Sequence, residues 1–107
     1  MGNDRLQGTL DMLILRTLHP RPMHGWAIAQ RLQELSEDYL RIGQGSLYPA
    51  LHRLESAGWL DAEWGVSEAG RKAKFYRLSK AGRLQLEREV SDWEGFTAAV
   101  GRVLQEA

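Results

Sequence analysis

Between Ala69 and Arg83 the chain carries Arg71, Lys72, Lys74, Arg77, Lys80 and Arg83 with no acid among them. Asp61, Glu63 and Glu68 stand just before this run, and Glu87, Glu89, Asp92 and Glu94 just after it. A local positive segment in a chain of zero formal charge can meet phosphate while the rest of the surface stays unattracted. The competing reading is a solvated strand edge guarded by lysines, and composition alone does not separate the two. A second group stands in the stretch GQGSLYPALHRLESAGWL, residues 43 to 60, where Gln44, Ser46, Tyr48, His52 and Arg53 are interleaved with Leu47, Leu51 and Leu54. Short polar groups at a helix start suit phosphate or base-edge contact. Arg53 could chelate a guanine, grip the backbone or pair with a nearby acid.

Other chemistry is poorly supplied. The chain has no cysteine, which removes disulfides, thiolate nucleophiles and the common zinc-finger ligand sets. His19, His24 and His52 share no metal spacing. No serine and histidine pair forms a recognisable nucleophile arrangement, and no glycine-rich phosphate loop follows a strand. The expectation is a protein that is not an enzyme and holds no cofactor or metal.

The elements that must position these residues follow from apolar spacing. With 107 residues, 43% of them hydrophobic, the chain supports one domain with a real core plus one protruding element. No stretch reaches the ~20 apolar residues of a membrane span, and the start lacks a signal-peptide layout, so a cytoplasmic protein is expected. Leu6, Leu10, Leu13 and Ile14 predict a first helix to Leu18, and Met12, Leu15 and Leu18 widen its stripe until the helix must be central or serve two interfaces. The run His19-Pro20-Arg21-Pro22 stops it. A second helix runs from Gly25 to about Ser36, with Trp26, Ile28, Ala29, Leu32 and Leu35 expected inside and His24 ordering its start.

The third helix is predicted from about Ser46, its cap, to Ala57. Pro49 would then lie in the first turn, and Gly58 would supply the left-handed stop. Two extended runs, Leu60 to Trp64 and Lys74 to Leu78, flank a glycine- and serine-containing loop and read as a hairpin. Trp26, Trp59 and Trp64 are expected to fill core and wing contacts. Ser79 is a plausible cap for a last helix in which Leu86, Val90, Trp93, Thr97, Val100 and Leu104 step by 4, 3, 4, 3 and 4. Gly95 and Gly101 weaken that helix by about 1 kcal/mol each relative to alanine, so packing must hold it. It either folds back as a fourth core helix or pairs with a second protomer. The second is preferred because the first three helices already supply a core.

Three helices and then a basic hairpin is the order of a winged helix-turn-helix, in which the third helix enters the major groove and the hairpin lies over the adjacent backbone. The expected fold is mainly α with a small β-hairpin. Residues 1–78 would form the winged-helix DNA-binding domain and residues 79–107 the C-terminal dimerisation helix.

The blocks MHGWAIAQRL, SLYPALHRLESAGWL and GRKAKFYRLSKAGR, in this order and followed by a helix holding a tryptophan, resemble the PadR family of bacterial transcriptional regulators. The likeness runs from Leu10 to Leu104 and departs from the family's usual residues at Trp26, Ala27 and Trp59. It implies a homodimer that binds a roughly palindromic double-stranded operator, usually as a repressor, and is released by a small aromatic or cationic effector. The residues themselves put the expected DNA contacts at Gln44, Ser46, Tyr48, His52 and Arg53 of the third helix and at Arg71, Lys72 and Lys74 of the wing, the last three to phosphate without base specificity. In that family the C-terminal helix makes the dimer, which agrees with the seam spaced through Leu86, Val90, Trp93, Val100 and Leu104, and the resemblance implies Trp93 as the residue placed to meet an effector. The other reading is a winged-helix protein-interaction module that does not bind DNA.

Overall fold

The computed structural model describes the backbone of residues 2–106 and the side chains of residues 8–106. The element order is α1 (Gly2–Thr17), β1 (Met23–His24), α2 (Gly25–Leu35), α3 (Gln44–Ser56), β2 (Leu60–Val66), β3 (Lys72–Leu78) and α4 (Lys80–Glu106). Three short helices around a core, then a hairpin and a long last helix, make the expected winged helix-turn-helix. Leu6, expected at the head of the α1 stripe, lies outside the described side chains.

The broad apolar surface of α1 makes it the central helix. Met12, Ile14, Leu15 and Leu18 are buried, and the core continues through Ile28 and Leu32 of α2 and through Leu47, Ala50, Leu51 and Leu54 of α3. Each such leucine or isoleucine withdrawn from water contributes roughly 1.5–3 kcal/mol before ordering costs. Two residues expected in this core are outside it. Trp26 stands about 160° around α2 from Ile28 at 100° per residue and is exposed. Leu35 is on the correct face but is the last residue of α2, where the helix runs past the core, and it too is exposed.

The sheet has the order β1-β3-β2, all antiparallel. The two-residue strand β1 has no alternation to announce it in the sequence. It pairs Met23 with Tyr76 and His24 with Phe75, closing the edge of β3 that the hairpin leaves open. Both hairpin strands are longer than expected, reaching Val66 and starting at Lys72, because ladder pairing continues after burial has ceased. Gly70, at φ +77°, makes the turn, and Ser67 closes it by donating its amide to the Arg71 carbonyl.

Ser79 joins the wing to α4 as expected. Its hydroxyl accepts from the Gly82 amide at 3.0 Å and donates to the Gly58 carbonyl at 2.7 Å, tying the end of α3 to the start of α4. Gly82 is pressed against the Trp59 carbonyl so closely that any Cβ there would overlap it. From this anchor α4 runs 27 residues, about 40 Å at 1.5 Å per residue. Its root packs on α1: Leu86 is buried and Val90 is partly buried against the same core. Leu86, expected in an intermolecular seam, therefore belongs to its own domain's core. Beyond Val90 nearly every residue is exposed, and the described molecule measures 54 × 29 × 24 Å.

Candidate nucleic-acid interface

Helix α3 starts two residues before the expected cap. Gly43, in extended conformation, is the N-cap and offers no side-chain bond; Ser46 lies in the first turn, and its amide bonds the Gly43 carbonyl at 3.1 Å, as does that of Leu47 at 3.0 Å. No cap side chain bonds the first-turn amides. This shift places Pro49 inside the helix rather than in its first turn, so the bond residue 49 would donate to the Gly45 carbonyl is missing. Gly58, at φ +83°, ends the helix where expected.

Burial of Leu47, Ala50, Leu51 and Leu54 leaves Gly45, Pro49, His52 and Ser56 at the centre of the outward face. The flanks differ. Gln44, Tyr48 and Glu55 lie on one side. The Tyr48 ring sits over Gly25 at the start of α2, where an added Cβ would come within 2.8 Å of it. Arg53 lies about 160° around the helix from Glu55, and its Nη2 donates to Asp11 Oδ1 of α1 at 2.7 Å. Among the expected contacts, Arg53 is thus held on the α1 flank, whereas Glu55 reaches the wing by a 3.0 Å ion pair to Lys74. That bond raises the Lys74 ammonium above its usual range.

The wing sorts charge by strand face. Residues paired across the ladder share a face, so Leu60, Ala62, Trp64 and Val66 stand with Leu78, Tyr76, Lys74 and Lys72. The buried end of this face packs toward α3, and its outer end carries both lysines. Asp61, Glu63 and Arg77 stand on the opposite face, where Arg77 and Asp61 approach to 3.7 Å. Lys72 Nζ lies 5.1 Å from the Trp64 ring centroid, and Lys74 Nζ lies 5.6 Å from that of Tyr76. The basic run of the sequence therefore does not form one patch. Arg71, Lys72 and Lys74 stay with the wing, Arg77 turns to the other side, and Arg83 sits beside His19 at 3.4 Å.

The structure adds Trp26 and Arg41 to the surroundings of the α3 start, where they border a groove with Gln44 and Tyr48. The helical wheel of α2 carried the signal for Trp26; Arg41 sits in the irregular 36–43 connection and had none. Trp64, expected to fill a packing site, is exposed, whereas Trp59 is partly buried against the core. His24 orders the start of α2 as expected, its Nδ1 accepting from the Ala27 amide at 3.3 Å and its ring meeting Phe75 edge-on. Among the described residues, no group of three histidine, aspartate or glutamate side chains could hold a metal ion. Among the described residues, no helix is long and apolar enough to cross a membrane either.

A polar helix start and a lysine-bearing wing face on the same side of a helical core define a winged helix-turn-helix transcription factor. The profile of the PadR-like transcriptional regulator family matches residues 14–88, and the chain belongs to that family. It is 38% identical over 98 residues to the transcriptional regulator Rv3488 of Mycobacterium tuberculosis, covering 82% of this chain and 88% of that one. Among solved structures, a PadR family transcriptional regulator from Eggerthella lenta superposes with a TM-score of 0.81 at 32% identity, covering 96% of this chain and 88% of the other. A PadR-like transcriptional regulator from Bacillus cereus does so with 0.79 at 25% identity, covering 95% and 97%.

Proposed function

We propose that this PadR-like regulator binds a pseudo-palindromic operator as a homodimer and represses the genes behind it until a small aromatic or cationic effector releases it. The observation that carries the reading is the shared orientation of α3 and the wing: Gln44, Ser46, Tyr48 and His52 at the helix, with Lys72 and Lys74 on the wing face turned toward that helix. Arg71 adds charge at the wing tip. In this reading α3 enters the major groove and the wing lysines take phosphates, which position the protein without reading sequence. Arg53 either keeps Asp11 or exchanges it for phosphate on binding.

Residues 1–78 serve as the DNA-binding part and residues 79–107 as the dimerisation part. The apolar line of α4 supports this division. It begins in the domain's own core at Leu86 and Val90 and continues outward through Trp93, Val100 and Leu104, all accessible in the single chain. Pairing these halves would set two reader helices about 34–36 Å apart, one turn of DNA. An effector at Trp93, beside Phe96 at 6.1 Å between ring centroids, would alter that spacing.

The test is electrophoretic mobility of the chain's own upstream promoter DNA at two salt concentrations, beside an Arg71→Ala, Lys72→Ala, Lys74→Ala variant. A salt-sensitive shift that the variant loses is expected. Absence of a shift at low salt, together with binding of an acidic protein, would favour the protein-interaction module instead.

A further inference from the structure

Trp64 and Val66 are among the most exposed apolar side chains of the domain, 62% and 70% open, and both stand near the wing tip on the face that carries Lys72 and Lys74. A hairpin needing only solubility would place polar residues at positions this open. The indole is not loose: Lys72 Nζ stands 5.1 Å from its ring centroid, within cation–π range. One strand face thus presents a broad aromatic surface with an ammonium immediately over it.

We infer that Trp64, with Val66 beside it, is the apolar contact of the wing with duplex DNA, lying against the deoxyribose wall of a groove while Lys72 takes the adjoining phosphate. The occupant follows from the chemistry. Apolar C–H surface and fixed negative charge must lie within a few ångströms of one another, and sugar and phosphate along a groove supply both. Apolar side chains pressed into a groove are an established way of docking on DNA. The surface is also continuous with the proposed interface, because Lys74 of the same strand face is tied to Glu55 of α3 at 3.0 Å. The inference rests on the DNA-binding reading above and assigns to it a residue that core packing does not employ.

The test is a fluorescence-anisotropy titration of a labelled duplex of the chain's upstream region across a salt series, with the wild type, Trp64→Ala, Trp64→Phe and Lys72→Ala. An apolar contact releases no counterion, so Trp64→Ala should weaken binding about tenfold at every salt concentration with the slope unchanged. Lys72→Ala should instead flatten the slope by about 0.9. Trp64→Phe should recover most of the affinity while reducing the DNA-induced quenching of tryptophan emission. Because the ring is exposed, the melting temperature of Trp64→Ala should match the wild type, which separates lost contact from lost folding. Wild-type binding with Trp64→Ala unchanged would overturn the inference and leave DNA binding standing. Unchanged DNA affinity with a changed oligomeric state would overturn it in favour of a second copy of the chain on this face. A wild type that binds no duplex at low salt would remove both readings together.

Discussion

The side chains proposed to meet DNA differ in what already holds them. His52 and Arg71 are exposed, Lys72 rests over Trp64, Lys74 is bonded to Glu55, and Arg53 is bonded to Asp11. Next to that last pair lies the strongest electrostatic anomaly of the described residues. Glu89 of α4 has a buried Oε2 with no hydrogen-bond partner. Burial foremost, and then the charges of Asp11 and Asp92, push its carboxyl up to about 7. Burial likewise raises Asp11, against the opposing pull of Arg53. A carboxyl whose native pKa lies above its unfolded value of 4.5 binds more protons in the folded state, so stability declines as pH rises from about 4.5 to 7. Glu89→Gln removes that decline. The variant should melt near the wild type at pH 5 and higher at pH 8. With solvent screening of this partly exposed group, the gain is on the order of 1 kcal/mol, or roughly 4–8 °C. Melting curves at the two pH values check it, and an equal gain at both would show that the charge is not the cause.

Each element is bounded by a chemical device, and these devices differ in how much of themselves they show in the sequence. Gly58 at the end of α3 and Ser79 at the start of α4 were legible because each acts on its neighbours in the chain. The start of α3 was not: Gly43 caps it with backbone alone, which leaves no side-chain signature, and Ser46 matched the cap pattern three residues too late. The strand β1 was hidden because a two-residue strand exists only through its partner β3. Gly82 was equally silent, since its requirement comes from the Trp59 carbonyl of a segment 23 residues away. Gly82→Ala should cost about 1–3 kcal/mol despite alanine's better helix propensity, because the methyl must displace backbone. Chemical denaturation should show a lower midpoint with an unchanged slope. A gain in stability would mean that the α4 root can shift away from Trp59 at little cost.

At the scale of the whole molecule, a helix that leaves its domain after Val90 with Trp93, Val100, Val103 and Leu104 accessible predicts association through α4. Val100→Glu should shift the proposed dimer toward monomer in sedimentation velocity and weaken operator binding, since two linked half-sites gain by effective concentration. The winged-helix domain should stay folded, its core lying elsewhere. A sedimentation coefficient indistinguishable from the wild type would move the interface to another surface. By itself the sequence determined the class of fold, the order of three helices, hairpin and long helix, the leucine face of α3 and the length of chain carrying uncompensated positive charge. Those features depend on periodicity and on near neighbours, and both are written in the chain. Only the tertiary structure decided which of the charges act together. Strand pleating divides Lys72 and Lys74 from Arg77, the turn of α3 carries Arg53 to Asp11 and away from the wing, and the end of the core exposes Trp64 while burying Leu86. Burial and charge pairing are set by what other segments bring to a residue, and that depends on how distant parts of the chain meet.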